Sequence, residues 1–156
     1  MSVTSVTDQL PIADFQLPIG GIMSEKSNVL RNRAMQFALR VVRLFRSLPN
    51  SPEALVFGQQ LLRSSTSVAP NYRAACKARS QADFISKLGI VEEEIDESVF
   101  WLEFLVEAQI VRQERMTDLI GEAKQRTAIF AASRITAKSN RQLEIDNRQS
   151  STRGAS

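Results

Sequence analysis

The stretch LRSSTSVAPNYRAACKARS, residues 62–80, places four hydroxyl side chains at positions 64–67, shortly before Pro70. Both flanks of the stretch have helical character. A proline inside a helix removes one backbone hydrogen bond, and hydroxyl groups nearby can bond the freed carbonyl of Thr66. Small side chains also leave room for a neighbouring helix. The stretch therefore predicts the kinked, closely packed centre of a helix.

The same serines could instead form a catalytic loop, but a serine nucleophile needs an adjacent base. The chain contains no histidine, and its one cysteine, Cys76, lies among small residues typical of helix packing. Histidine-based triads and histidine metal sites are thereby excluded. The acidic run EEEIDE at 92–97 could bind a divalent cation, but carboxylates spread around a helix rarely converge on one ion. We expect no enzymatic activity, no metal and no cofactor.

The chain has 156 residues, 43% of them hydrophobic and 24% charged, which fits one globular domain. It has no run of about 18 apolar residues that could span a membrane and no basic start typical of a secretory signal. A cytoplasmic location is expected. Residues 1–23 predict a flexible arm, whose apolar side chains could alternatively dock, and residues 139–156 predict a polar tail that frays.

Between these tails, residues 24–138 carry apolar or small side chains at helical spacing in four segments. The first two stripes are Leu30, Ala34, Phe37, Val41, Leu44 and Leu48, then Leu55, Leu62, Ala69 and Cys76. The other two are Phe84, Leu88, Val91, Ile95, Ser98, Leu102 and Leu105, then Met116, Leu119, Ile120, Ala123, Phe130 and Ala137. Ser51 with Pro52, and SQAD at 80–83, predict helix starts. Short connections and the lack of convincing strands predict an all-α, antiparallel up-down four-helix bundle.

The first and the third predicted helices each carry a second apolar stripe, which makes them apolar over too much of their circumference for a monomeric bundle. Such a stripe is usually buried against a neighbouring subunit, although a wide core face is the alternative. We predict a homo-oligomer. Its expected interface comprises Met35, Val42, Phe45, Ile90, Trp101 and Phe104.

The segment QLLRSSTSVAPNYRAACKARSQADFISKLGIVEEEIDESVFWLEFL, residues 60–105, closely resembles the four-helix-bundle family of 23S rRNA intervening-sequence proteins. The family features are an Arg-Ser-Ser segment before Asn, a basic turn, and a Phe-x-x-x-Leu stretch that ends in aromatic–Leu–Glu. The resemblance extends over about residues 26–138. It implies a bundle that assembles into a ring, typically a pentamer. One branch is the accessory variability determinant of diversity-generating retroelements, which associates with a reverse transcriptase and with nucleic acid.

Charge is segregated along the chain, although the overall formal net charge is only +3. Residues 24–79 hold ten basic and two acidic residues, a balance of +8, and residues 80–111 hold one basic and eight acidic residues, a balance of −7. An exposed basic band would bind phosphates with little base specificity. Its candidate nucleic-acid-binding residues are Arg33, Arg40, Arg43, Arg46, Arg63, Arg73, Lys77 and Arg79.

Other interpretations of these charges stay open. The acidic stripe Glu92, Asp96, Glu103 and Glu107 could meet Arg73 and Lys77 of the second helix or of a neighbour, or the charged faces could simply be solvated. The leading hypothesis is a non-enzymatic oligomeric scaffold that binds structured nucleic acid, RNA or DNA, or a ribonucleoprotein partner. The second is a module that binds proteins alone, and the third, an enzyme, has no recognisable constellation.

Overall fold

The computed structural model describes residues 25–153, apart from the side chains of Lys26 and Arg153. This part of the chain contains four helices and no strand. They are α1 (Glu25–Arg46), α2 (Pro52–Cys76), α3 (Gln81–Glu107) and α4 (Gln113–Arg153). The predicted four-helix architecture is therefore confirmed. No helix within the described range is long and apolar enough to cross a membrane. The arm predicted at residues 1–23 lies outside the described residues.

The helix boundaries follow the local chemistry that the sequence indicated. The Ser51 hydroxyl accepts a hydrogen bond from the Ala54 amide at 3.3 Å, and Pro52 occupies the first turn. The Ser80 hydroxyl accepts from the Asp83 amide at 3.1 Å. Both serines therefore satisfy an amide that has no partner inside its helix. Helix α3 ends where Gln109 adopts a left-handed backbone with φ of 57°, because that conformation cannot continue a right-handed helix.

Contacts between helices fix an antiparallel register around the bundle. Arg63 of α2 pairs with Glu97 of α3, and Phe57, one and a half turns earlier in α2, meets Phe104, two turns later in α3. Between α3 and α4, Glu92 pairs with Arg134 at 2.9 Å and Glu103 pairs with Lys124 at 2.6 Å. Helices α1 and α4 also run antiparallel but approach each other much less than the other neighbouring pairs do.

The core confirms the predicted apolar faces of three helices and corrects the fourth. The predicted stripes of α3 and α4 are buried throughout, and that of α1 is buried as far as Val41 and half-buried beyond it. In α2, Leu55 is exposed and Leu62 is only half-buried. The buried face of α2 comprises Ala54, Gly58, Leu61, Ser64, Ser65, Val68, Ala69, Tyr72, Ala75 and Cys76. Ala69 and Cys76 are buried as predicted, and this face is built mainly from small side chains.

The hydroxyl-rich stretch is the middle of α2, which runs through Pro70 without interruption. Ser64 and Ser65 are fully buried and donate to carbonyls three residues earlier, each at 3.2 Å. The Ser64 hydroxyl also lies 2.9 Å from that of Ser98 on α3, which is fully buried too. Every buried hydroxyl of this group is thus hydrogen-bonded while adding little volume, so α2 and α3 can pack closely. The structural interpretation of this stretch as a helix centre is confirmed.

Helix α4 extends well beyond the bundle. Its 41 residues exceed the 27 of α3, and every residue from Lys138 to Thr152 is exposed. The segment predicted to fray is helical as far as Arg153, and its flexibility stays a prediction. Hydroxyl side chains such as Ser150 and Thr152 bond carbonyls of their own helix there. The segment is polar, as the sequence indicated, and its division from the bundle stays a prediction.

Candidate nucleic-acid interface

The structure separates the eight predicted phosphate-binding residues into paired and unpaired cations. Arg40 forms an ion pair with Glu122 of α4, and Arg63 forms ion pairs with Glu94 and Glu97 of α3. The hydrogen bond that Arg63 donates to Glu97 raises the pKa of Arg63 and lowers the pKa of Glu97. These guanidinium groups already neutralise carboxylates inside the chain. They are therefore less available to phosphates.

Arg40 and the backbone of Arg33 lie beside α4, whereas the predicted basic band requires exposed side chains. The Arg33 carbonyl accepts a hydrogen bond from Nη2 of Arg126 at 2.9 Å, and Nη2 of Arg126 also pairs with Glu122 at 2.6 Å. The Arg126 guanidinium stands 5.6 Å from the ring centre of Phe37, and its side chain is only 6% exposed. Burial lowers the pKa of Arg126. This side of α1 holds the bundle together instead of facing solvent.

The remaining five predicted cations are exposed and take part in no ion pair among the described residues: Arg43, Arg46, Arg73, Lys77 and Arg79. Arg43 and Arg46 lie on α1. The other three form what we call the α2-end cluster, because they lie on the last turn of α2 and the turn that follows. Arg73 and Lys77 are four residues apart and so share one side of the helical turn. The α2-end cluster contains three of the five unpaired cations among the predicted residues.

The acidic stripe of α3 does not pair with Arg73 or Lys77 of its own chain. Glu92 and Glu103 instead meet Arg134 and Lys124 of α4. The intramolecular form of the neutralisation hypothesis is therefore wrong. Helix α4 supplies the counter-charges because it packs along the same side of α3. Pairing of the α2-end cluster with a neighbouring subunit stays a prediction.

Aromatic side chains cover part of the surface between α2 and α3. Phe57 stands 4.8 Å from Phe104 and 6.1 Å from Trp101 between ring centres, and Phe100 stands 5.0 Å from Trp101. Phe100 is 53% exposed. The Trp101 ring N–H donates to Oε1 of Glu97 at 3.2 Å. We call the four aromatic residues the aromatic surface.

The predicted interface residues differ in exposure. Met35 and Ile90 are exposed, whereas Val42, Trp101 and Phe104 are half-buried. Phe45 is also half-buried and belongs to the contact between α1 and α2: a Cβ at Gly58 would lie 2.9 Å from its ring. A glycine at this position thus allows the two helices to approach. Part of the second stripe of α1 is therefore a wide core face, while Met35 stays open to solvent.

Several residues that shape these surfaces were not among the sequence predictions. Arg126 occupies the core stripe of α4 between Ala123 and Phe130. These two residues are seven apart, so helical spacing indicates that a residue between them also faces the core. Arg112 and Arg115 are exposed beside the C-terminal end of α1, where Arg115 donates to the Ser47 hydroxyl at 3.3 Å. Only tertiary contacts bring these two arginines near α1.

The remaining chemically interesting groups are buried. Burial raises the pKa of the Cys76 thiol and that of the Tyr72 hydroxyl. Burial thus disfavours the thiolate, which is the form of cysteine that acts as a nucleophile. Within residues 25–153, no three acidic or cysteine side chains lie together in a group that could hold a metal ion. The arrangement is suited to binding through surface charge and aromatic contact.

Together, the fold and its surfaces define a helical bundle with an unpaired basic cluster, an acidic third helix and an exposed aromatic surface. The model of the 23S rRNA-intervening sequence protein family matches residues 26–132. The chain belongs to this family, as its sequence resemblance indicated. Among the curated proteins, none matches the chain.

A solved structure supports the same relationship. It is the crystal structure of a protein of unknown function from the S23 ribosomal protein family of Bacteroides thetaiotaomicron VPI-5482. The two sequences are 33% identical, with a TM-score of 0.65, and the match covers 70% of this chain and 97% of the other. The similarity thus spans almost the whole of that protein and leaves about a third of this chain outside it.

Proposed function

We propose that the protein is a non-enzymatic, oligomeric scaffold that binds structured nucleic acid, or a ribonucleoprotein partner, through the α2-end cluster. The observation that carries this proposal is that Arg73, Lys77 and Arg79 are exposed and form no ion pair within the described chain, while Arg40 and Arg63 are paired. Unpaired cations can replace the counterions of a phosphate backbone. A reverse transcriptase is the protein partner that the resemblance to the retroelement branch favours.

The chemistry of the cluster suits phosphates better than base edges. Lysine is a point charge on a flexible stem, and arginine can bond two phosphate oxygens at once. Such contacts position a nucleic acid but carry little sequence information. One subunit offers only three cations, so its own affinity is low. Repetition around an oligomer raises the overall affinity because the second contact becomes intramolecular.

The oligomer belongs to the same proposal. We expect a closed ring, and the family resemblance favours a pentamer. Light scattering at micromolar concentration should then give about five times the 17.4 kDa of the chain. A mass equal to one chain would remove the ring and its multivalent binding.

Nucleic-acid binding is tested by mobility-shift titration of a structured RNA at low and moderate salt. The variant Arg73→Glu/Lys77→Glu should lose most of the binding seen for wild-type protein, about equally for unrelated RNA sequences. The control is Arg112→Glu/Arg115→Glu, which changes the net charge equally at the opposite end of the bundle. It should retain most of the affinity.

Two outcomes would overturn the proposal. The first is the absence of any shift with wild-type protein at low salt, using both RNA and DNA. The second is an equal loss of affinity in the two reversed variants, because total charge and not the α2-end cluster would then govern binding. Circular dichroism of both variants checks that the helices remain.

A pure protein-interaction module is the second candidate function. The exposed aromatic surface favours it, because aromatic side chains are enriched where proteins bind one another. The surrounding α3 surface is acidic and would repel a phosphate backbone. The same titration separates the candidates, since a protein-interaction module would assemble without shifting any nucleic acid.

A further inference from the structure

The outward face of α1 combines apolar side chains with unpaired positive charge. Met35, Leu39, Val42 and Arg46 are spaced by four, three and four residues, so they lie along one side of the helix. Met35 is 51% exposed and Leu39 is 43% exposed. Arg43 lies beside this stripe and, like Arg46, forms no ion pair among the described residues. We call these five residues the α1 face.

The outward face of α3 has the same organisation with the opposite charge. Ile90, Glu93, Phe100, Phe104 and Glu107 follow helical spacing, and Trp101 and Asp96 flank them. Ile90 is 43% exposed and Phe100 is 53% exposed. The carboxylates of Glu93, Asp96 and Glu107 are exposed, and no ion pair within residues 25–153 involves them. We call these seven residues the α3 face.

Each face exposes large apolar side chains in a row, and contiguous exposed apolar patches often mark sites of protein–protein interaction. Nucleic acid is a poor occupant of either row. The α3 face would repel phosphates, and phosphates would leave Met35 and Leu39 in contact with water. A helix that presents apolar side chains flanked by arginines fits the α3 face, because it would cover the apolar side chains and carry the opposite charge. The α1 face of a second copy is such a helix.

We propose that the α1 face of one copy packs against the α3 face of the next copy. Arg43 and Arg46 would then lie near the acidic residues of the α3 face, and Met35 and Leu39 against its apolar and aromatic side chains. The contact joins two different surfaces and is therefore heterologous, so it produces a ring if it closes. This inference rests on the oligomer of the proposed function and names the surfaces that form it.

Charge reversal tests the pairing by light scattering. Arg43→Glu/Arg46→Glu and Glu93→Arg/Asp96→Arg should each weaken assembly at least tenfold, because like charges would then face each other. The variant with all four changes restores opposite charges and should recover assembly. Arg112→Glu/Arg115→Glu serves as the control, because it alters charge near α1 but off the α1 face. The proposal is overturned if the reversals leave assembly unchanged or if the fourfold variant does not recover it.

Cross-linking tests whether the contact is heterologous. Positions 36 and 93 are both exposed, so in a Cys76→Ser background Gln36→Cys places one thiol beside the α1 face and Glu93→Cys places one on the α3 face. A short bis-maleimide should link the two variants when they are mixed and neither variant to itself. Links within either pure sample would show a symmetric contact and contradict the inference.

The single tryptophan provides a readout that does not depend on mass. Trp101 is half-buried within the α3 face. Its emission should shift to longer wavelength when the oligomer is diluted to monomers, and the two reversed variants should show this shift without dilution. Unchanged emission on dissociation would place the contact elsewhere. If the assembled wild-type protein does not bind RNA, that result counts against the proposed function alone and does not affect this inference.

Discussion

The contact between α2 and α3 and the contact between α1 and α4 hold the same bundle together by different means. In the first, fully buried serines at 64 and 98 leave α3 close to α2, and large apolar side chains pack around them. In the second, the helices approach each other less, and a buried arginine bridges them. Arg126 bonds the Arg33 carbonyl and shares Glu122 with Arg40.

The difference shows how one type of residue serves two purposes in this chain. Where an arginine pairs across a loosely packed contact, it supplies the interactions that apolar side chains provide elsewhere. Arg43, Arg46 and the α2-end cluster lie outside both contacts and form no ion pair in the described part of the chain. Whether an arginine forms an ion pair within the chain, more than its position in the sequence, therefore decides whether it is structural or available for binding.

The largest loss of stability is expected when the Glu122 carboxylate, which Arg40 and Arg126 share, is removed from the contact between α1 and α4. Glu122→Ala leaves the buried Arg126 without its ionic partner, and breaking such a pair costs about 3 kcal/mol. Urea unfolding followed by circular dichroism measures the loss. Arg126→Met in the same background removes the stranded charge and should recover part of the stability. If Glu122→Ala loses less than about 0.5 kcal/mol, the arginine bridge does not stabilise the contact.

Overpacking the buried face of α2 should destabilise the protein almost as strongly. Ser65→Leu forces a large side chain into a fully buried position, at a cost of about 1–3 kcal/mol. Ser65→Ala keeps the small volume, loses only a hydrogen bond to its own helix and should cost about 1 kcal/mol or less. Equal losses in the two variants would argue against close packing. An alanine variant that folds but loses a measurable turnover would revive the catalytic interpretation.

A substitution outside both contacts measures how much helix propensity alone contributes to stability. A Cβ at Gly121 of α4 would meet no atom within 4 Å, so Gly121→Ala should stabilise the protein by about 0.5–1 kcal/mol through helix propensity alone. The same urea titration measures it. Destabilisation would mean that the outer side of α4 is covered in the assembled protein.

The smallest effect is expected at the exposed pair of Arg63 with Glu97. The pKa of Glu97 lies below its ordinary value because of Arg63, so the pair stabilises the fold above the unfolded pKa of Glu97 and is lost as the pH falls through the folded one. Arg63→Met should raise the pKa of Glu97 in a carboxyl NMR titration. The stability change at neutral pH should stay below about 1 kcal/mol, since half of the Arg63 side chain is exposed. An unchanged pKa would show that the pair does not form in solution.

Much of the fold was predictable because helical periodicity and capping are local. The stripes of α1, α3 and α4 and the starts at Ser51 and Ser80 follow from spacing and side-chain chemistry alone. In α2 the predictions for Leu55 and Leu62 were wrong, because the buried face consists mainly of small side chains, including two serines, which hydrophobic spacing does not detect. The end of α4 was missed for a related reason, since a polar segment carries no apolar stripe to indicate a helix.

The candidate site was less predictable, because the availability of a cation depends on tertiary contacts. Arg63 and Arg73 look alike in the sequence, yet α3 presents two carboxylates to the first and none to the second. The position of α4 decided that Glu92 and Glu103 would be neutralised there. Local patterns in the chain revealed the segregation of charge but not the partners of each charged group.

The most direct test of the distinction between paired and unpaired cations is the salt dependence of RNA affinity, measured by fluorescence anisotropy with one structured hairpin. Wild-type protein is compared with Lys77→Gln and Arg63→Gln, each of which removes one positive charge. Lys77→Gln should lower the slope of log affinity against log salt by roughly one for each phosphate that it no longer neutralises, and Arg63→Gln should leave the slope nearly unchanged. Equal changes in the two slopes, or a slope near zero for wild-type protein, would contradict the proposed division of the cations.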